Sequence, residues 1–273
     1  MPTFRSTALR PILLVTTITT IATVGLTLAP AADAATGSTV SYVALGDSYS
    51  AGVGTTDSAG SCGQSPEAYG ALYAAATAPA SFTFAACSGA TAATTESGQL
   101  SGLSAQTSLV SLTDGGNDIG FVSVAQTCLL DGQSACLAAE SAAATTAETT
   151  LPGELDALYS AIQTDAPHAR VVVLGYPEFY DTAAPLCIDW LTPADHAAAN
   201  QLVLTLDQVI QTEAAKYPGF VYESVDALFA GHRICDSTPW INNPGLESGW
   251  YHPTNAGQAE AYLPALAAGA NAG

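Results

Sequence analysis

Basic residues are nearly missing from this chain: lysine and arginine together number five, against 24 aspartates and glutamates, for a formal net charge of −19. A surface of that sign repels phosphate backbones, which excludes nucleic-acid binding, and it disfavours tight residence on anionic bilayers. The same scarcity leaves no clustered arginine or lysine to clamp a phosphoryl group, which argues against a phosphoester-cleaving serine enzyme. Histidine is also rare, four in all, at positions not spaced as ligands, and no C-x-x-C occurs. A zinc site is therefore not expected, and neither is any other metal or cofactor. Apart from residues 12–29, no apolar run is long enough to cross a bilayer.

The first residues do not look like folded protein. Arg5 and Arg10 precede an apolar, threonine-diluted run, PILLVTTITTIATVGLTLAP, and then AADAAT with small residues at Ala32 and Ala34. A basic start, an apolar middle and an A-x-A end read as a secretory signal, residues 1–34, with cleavage near Ala34. The two arginines are not adjacent, so a twin-arginine route is not indicated. One globular domain over 35–273 is then expected, secreted, without stable membrane insertion and monomeric by default. Removing the leader takes two of the five basic residues and only one acid, so the exported chain is more acidic still.

All six cysteines, at 62, 87, 128, 136, 187 and 235, lie after the leader. An even count in an exported chain suggests three disulfides, whose pairing the sequence leaves open, sequential pairing being the simplest.

Short apolar runs alternate with helical stretches. Candidate strands are 40–45, 81–86, 107–113, 170–176 and 219–224. The clearest helix spans Pro193 to Tyr217, with Thr192 as its cap and Leu202, Leu206, Val209 and Ile210 on one face. A second fits Pro66 to Thr77 behind Ser65, a third follows Thr254 or Asn255, and 137–163 reads as helical around Pro152-Gly153. Such alternation points to a parallel sheet covered on both faces, with functional residues in loops beyond the carboxyl ends of the strands.

That rule selects three loops and one late histidine. Gly46-Asp47-Ser48-Tyr49-Ser50 follows the first strand, Cys87-Ser88-Gly89-Ala90 the second, and Asp114-Gly115-Gly116-Asn117-Asp118 the third. His252 stands in Trp250-Tyr251-His252-Pro253-Thr254 ahead of the last helix. A serine hydroxyl becomes a nucleophile when an imidazole takes its proton, and attack on an ester makes an oxyanion that needs preorganised donors. The amides of Ser48 and Gly89 and the side chain of Asn117 are candidate donors. The α/β-hydrolase alternative wants G-x-S-x-G, which this turn lacks, and a trypsin-like protease wants its histidine before its serine.

GDSY, the glycine of CSGAT, GGND and the late HPTNAG together resemble the four sequence blocks of the SGNH, or GDSL-type, hydrolases, over about 40–266. The cysteine placement and block wording are most similar to the secreted actinobacterial lipases and esterases of that family. The resemblance implies a three-layer α/β/α sandwich with a five-stranded parallel sheet. It implies Ser48 as nucleophile, His252 as base, and an oxyanion hole of Ser48, Gly89 and Asn117. It also implies disulfides Cys62–Cys87, Cys128–Cys136 and Cys187–Cys235, no cofactor, and a small-molecule or lipid ester as substrate. Phospholipase and polysaccharide O-deacetylase activity share the scaffold, as could a secreted binding module that has lost catalysis.

One departure is visible. Many family members carry an aspartate three residues before the catalytic histidine, but here that position is Gly249. The expectation is a dyad in which the main-chain carbonyl of Trp250 or Gly249 orients His252, with Glu247 as the acidic alternative. His168, His196 and His232 read as surface or packing residues, and Asp47 and Asp118 as partners of loop backbone. Asp195, at a helix start, reads as a dipole partner. Ile119, Phe121 and Val122 could line an acyl pocket or simply pack.

Overall fold

Strand β1 (Ser41–Ala44) carries Tyr42, Val43 and Ala44 fully buried, as a strand covered on both faces requires. In this computed structural model, residues 38–244 and 249–272 are described. The expected leader over 1–34 and Glu247 lie outside the described residues. After β1 the chain makes a single helical turn, α1 (Ser48–Ala51), then α2 (Tyr69–Thr77), β2 (Ser81–Phe84) and α3 (Ala92–Gln99). Next come β3 (Leu109–Leu112), α4 (Phe121–Leu130), α5 (Gln133–Thr149), α6 (Leu151–Asp165) and β4 (Arg170–Leu174). The chain closes with α7 (Pro193–Ala214), β5 (Phe220–Glu223), α8 (Asn255–Gly257), a π turn over Gln258–Tyr262, and α9 (Leu263–Asn271).

The five strands form one all-parallel sheet in the order β2-β1-β3-β4-β5. Right-handed crossovers on such an order send the helix between β1 and β2 to one face and those leading to β3, β4 and β5 to the other. The packing agrees: α2 and α9 lie against each other, while α3, α5, α6 and α7 form the second layer. This is the expected three-layer sandwich. The chain reverses direction across the sheet at β1, and the crevice beyond β1 and β3 is where such folds bind ligands.

The sequence expectations for the strands overlap all five, each trimmed by two or three residues in all. Thr192 caps α7 in a reciprocal box with Asp195. The helix expected from Pro66 starts later, at Tyr69, because the Ser65 hydroxyl accepts from the Glu67 amide and holds 66–68 in a turn. The long 137–163 segment is two helices, α5 and α6, that part at Thr150, with Pro152 in the first turn of α6, where its missing N–H costs nothing. Helices α3 and α4 have no counterpart among the sequence expectations. Disulfides join Cys62 to Cys87, Cys128 to Cys136 and Cys187 to Cys235.

Candidate active site

Asp47 caps α1 by accepting the Tyr49 amide at 2.9 Å, and this turn lifts Ser48 to the end of the sheet. Gln99 grips the same turn from α3: its Oε1 accepts the Gly46 amide at 2.8 Å and its Nε2 donates to the Gly46 carbonyl at 2.9 Å. The Asp47 carboxylate also accepts from the hydroxyls of Thr113 (2.7 Å) and Tyr176 (2.6 Å). Burial pushes the Asp47 pKa up, and these donors pull it back. The turn that carries Ser48 is thus bolted to the end of β3, to α3 and to the loop after β4.

The second and third loops converge on it. Asn117 Nδ2 donates one proton to the Ala90 carbonyl at 2.8 Å, which fixes the amide and leaves its other proton available. Asp118 Oδ1 accepts the Ala92 amide at 3.0 Å, tying the third loop to the start of α3. Burial pushes the Asp118 pKa up to about 6. Gly89 has φ +82°, a conformation glycine adopts without strain, so the loop can turn its amide outward. Among the described residues neither the Ser48 nor the Gly89 amide donates to a protein acceptor. Three donors, one from each loop, are therefore uncommitted.

His252 comes from the far end of the chain. Its Nε2 lies 2.7 Å from Ser48 Oγ and its Nδ1 lies 2.8 Å from the Trp250 carbonyl. A carbonyl only accepts, so the ring proton sits on Nδ1 and Nε2 faces the serine hydroxyl with a lone pair. The Gly249 carbonyl accepts the His252 main-chain amide at 3.0 Å. Of the two carbonyls expected to face the ring, it is Trp250 that does so at hydrogen-bond distance. Gly249 has φ +75°, and a Cβ there would stand 2.7 Å from Gly54 Cα. The backbone that presents the Trp250 carbonyl thus leaves no room for an aspartate side chain at that position. Burial lowers the His252 pKa, opposed by the carbonyls of Trp250 and Gly249, so the neutral ring prevails.

The histidine loop is held rigidly. Asn242 and His252 pair across a short antiparallel bridge, and the Asn242 side chain donates to the Gly54 and His252 carbonyls. Tyr251 has φ +63°, an unfavourable conformation for a side chain of this kind, and it is locked by hydrogen bonds at both ends. The Tyr49 hydroxyl donates to its carbonyl, and its own hydroxyl lies 2.8 Å from that of Tyr180.

Beside Ser48 opens a groove walled by Ile119, Phe121, Val122, Phe179, Leu206 and Trp250. Its walls are almost wholly apolar, suited to a hydrocarbon chain. The other histidines stand apart: His196 bonds Asp189 and stacks on Tyr180, His232 stacks on Trp240, and His168 is exposed. Among the described residues, two clusters bring metal-ligand types together, Cys187–His196–Cys235 and Cys128–Cys136–Glu140. In each, both cysteines are spent on one disulfide, leaving a single side chain to ligate.

Sequence reasoning missed the supports. Gln99, Thr113, Tyr176 and Gln258 (which bridges the Tyr49 carbonyl and the Tyr69 amide) belong to no motif and act across long stretches of chain. No signal at the level of spacing points to them.

Residues 44–260 match the family model described as GDSL-like lipase/acylhydrolase. The chain is 45 % identical over 230 residues to Lipase 1 of Streptomyces coelicolor, covering 82 % of this chain and 85 % of that one. The extracellular lipase of Streptomyces rimosus superposes with a TM-score of 0.81 at 43 % identity, covering 84 % of this chain and 99 % of the other. Phospholipase A1 of Streptomyces albidoflavus superposes equally well, 0.81 at 45 % identity, covering 84 % and 98 %. With this agreement over nearly the whole described fold, the chain belongs to the GDSL-like lipase/acylhydrolase family and is a carboxylic ester hydrolase.

Proposed function

We propose that the protein is an exported lipase or esterase that cleaves acyl esters through a covalent intermediate on Ser48. The observation that carries this reading is the pair of contacts on one imidazole, Nε2 to Ser48 Oγ and Nδ1 to the Trp250 carbonyl. In the first half-reaction Nε2 takes the hydroxyl proton as Oγ bonds to the ester carbon. The imidazolium then returns that proton to the leaving alcohol, and the acyl group stays on Oγ. Water repeats the sequence: Nε2 takes its proton, the hydroxide oxygen bonds to the acyl carbon, and Oγ leaves with the proton. The amides of Ser48 and Gly89 and the free proton of Asn117 stabilise the oxyanion in both halves. The Trp250 carbonyl supplies the orienting role that a carboxylate fills in a triad.

The apolar groove favours a medium or long acyl chain over an acetyl group, which argues against polysaccharide deacetylation. A phospholipid is the second reading, favoured by the likeness to the phospholipase A1 of S. albidoflavus. Export is supported by the leader-like start of the sequence, by the extracellular lipase among the similar proteins, and by three disulfides. Fluorophosphonate labelling of Ser48, lost in Ser48→Ala, tests the nucleophile. Rates on p-nitrophenyl esters from acetyl to palmitoyl, beside phosphatidylcholine, test the substrate. A maximum at acetyl would sink the lipid reading, and an unlabelled Ser48 in oxidised protein would sink the mechanism.

A further inference from the structure

Between α7 and the loop after β4, every second side chain from Leu186 to Leu191 faces a different world. Leu186, Ile188 and Trp190 are 71, 69 and 70 % exposed. The alternate positions are pinned to the fold. Cys187 is bonded to Cys235, and Asp189, its side chain 1 % exposed, lies 2.8 Å from His196 Nε2. Leu191 lines a small apolar recess. His196 is itself clamped by stacking on Tyr180, ring centres 4.0 Å apart. A covalent bond, a buried polar pair and a packed leucine thus hold three large apolar side chains out in water.

Exposed apolar residues are ordinary singly, but three on one fastened strip, beside more at a groove mouth, mark a docking surface. The strip adjoins the groove. The recess that Leu191 helps to line shares Phe121, Ala125 and Tyr251 with it, and the Asn243 side chain donates to the Ile188 carbonyl at 3.4 Å. Val122 and Trp250, both on the groove wall, are themselves 56 and 43 % exposed.

We propose that Leu186, Ile188 and Trp190 dock the protein on a neutral or zwitterionic lipid layer, with the groove mouth turned toward its esters. Charge chooses the occupant. With a net charge of −19, two copies repel one another, and an anionic layer repels the protein. A layer without net charge opposes nothing, and its interfacial zone accepts tryptophan and aliphatic side chains. The proposal rests on the lipid-ester reading above for its purpose, though not for its measurement.

Phosphatidylcholine vesicles are sedimented with Ser48→Ala protein, which cannot consume them, and with the same protein carrying Leu186→Ser, Ile188→Ser and Trp190→Ser. Binding is expected to fall about tenfold or more in the multiple variant. The parent should bind phosphatidylglycerol vesicles more weakly than phosphatidylcholine. With Ser48 intact, the three substitutions should leave kcat/KM on dissolved p-nitrophenyl butyrate within about twofold, since none of the three exposed side chains lines the groove itself. Attack on an emulsified ester should slow roughly in step with the lost binding. Equal vesicle binding with and without the strip, absence of binding by the parent, or preference for the anionic vesicles each overturns the proposal. A dimer that the substitutions convert to monomer also overturns it, assigning the strip to a second copy. Strip-dependent vesicle binding by a protein that hydrolyses no ester keeps the docking surface and sinks the ester-hydrolase mechanism.

Discussion

The hydroxyl of Tyr176 donates to Asp47 Oδ2 at 2.6 Å and accepts the Gly116 amide at 3.2 Å. One phenol thus braces the turn that carries Ser48 against the loop that carries Asn117. Tyr176→Phe keeps the ring and removes the brace, leaving a buried carboxylate oxygen and a half-buried amide without that partner. The expected cost is about 1–3 kcal/mol, read as a lower urea midpoint. Turnover should drop with little change in KM, because what is lost is alignment and not contact with the acyl chain. An unchanged kcat in a destabilised variant would make the brace purely structural.

Asn117→Ala should lower kcat by roughly two to three powers of ten while leaving KM within a few-fold, as for removal of one oxyanion donor. The Asn117 amide also holds the Ala90 carbonyl, so the thermal midpoint should be recorded alongside. A parallel rise in KM without loss of kcat would move Asn117 out of the oxyanion hole.

In the proposed mechanism His252 acts as base only when neutral, and burial lowers its pKa from the ordinary imidazole value of about 6.5, which should give the pH profile an acid limb. As pH falls, kcat/KM should decline with a midpoint below 6.5. The same shift affects stability: the unfolded chain binds the proton first, so folding weakens as pH drops through the imidazole range. A midpoint above 7 would contradict the buried, carbonyl-bonded ring.

Glu140 gives the opposite slope. It is buried, its Oε2 has no partner among the described residues, and its Oε1 lies 3.9 Å from a disulfide sulfur that has no proton to give. Burial, with the Asp195 charge, pushes its pKa up to about 7. Its stabilising neutral form is complete near pH 4 and lost as pH rises through 7. Glu140→Gln should remove that loss, so the variant gains on the parent between pH 5 and pH 8 by on the order of 1–3 kcal/mol. Thermal midpoints at the two pH values check it, and a constant gap between variant and parent would refute it.

What the sequence made legible was whatever repeats a local pattern. Strands β3 (LVSL) and β4 (RVVVL) announce themselves as short valine- and leucine-rich runs, and the Thr192-Pro193 start of α7 as a cap followed by a tolerated proline. Gly46 to Ser50, Gly89 and Asn117 could be singled out because their loops follow β1, β2 and β3, and His252 because its HPTNAG block resembles the family's late histidine block. Helix α3 was not, since AATTESGQ has almost no apolar stripe and is helical because it packs on α6 and lends Gln99 to the nucleophile turn. The start of α2 was misread because Ser65, a good cap by type, spends its hydroxyl on a turn. The pairing of Tyr176 with Asp47 spans 129 residues and leaves no trace in spacing.

A peptide carbonyl behind His252 means that none of the three groups in line with the ester, hydroxyl, imidazole and carbonyl, bears a charge before the reaction begins. In the proposed mechanism plus and minus would appear there only together, as imidazolium and oxyanion, and vanish together when the alcohol departs. Within that line of three groups, polarity would then be switched on only at the instant the acyl carbon is attacked.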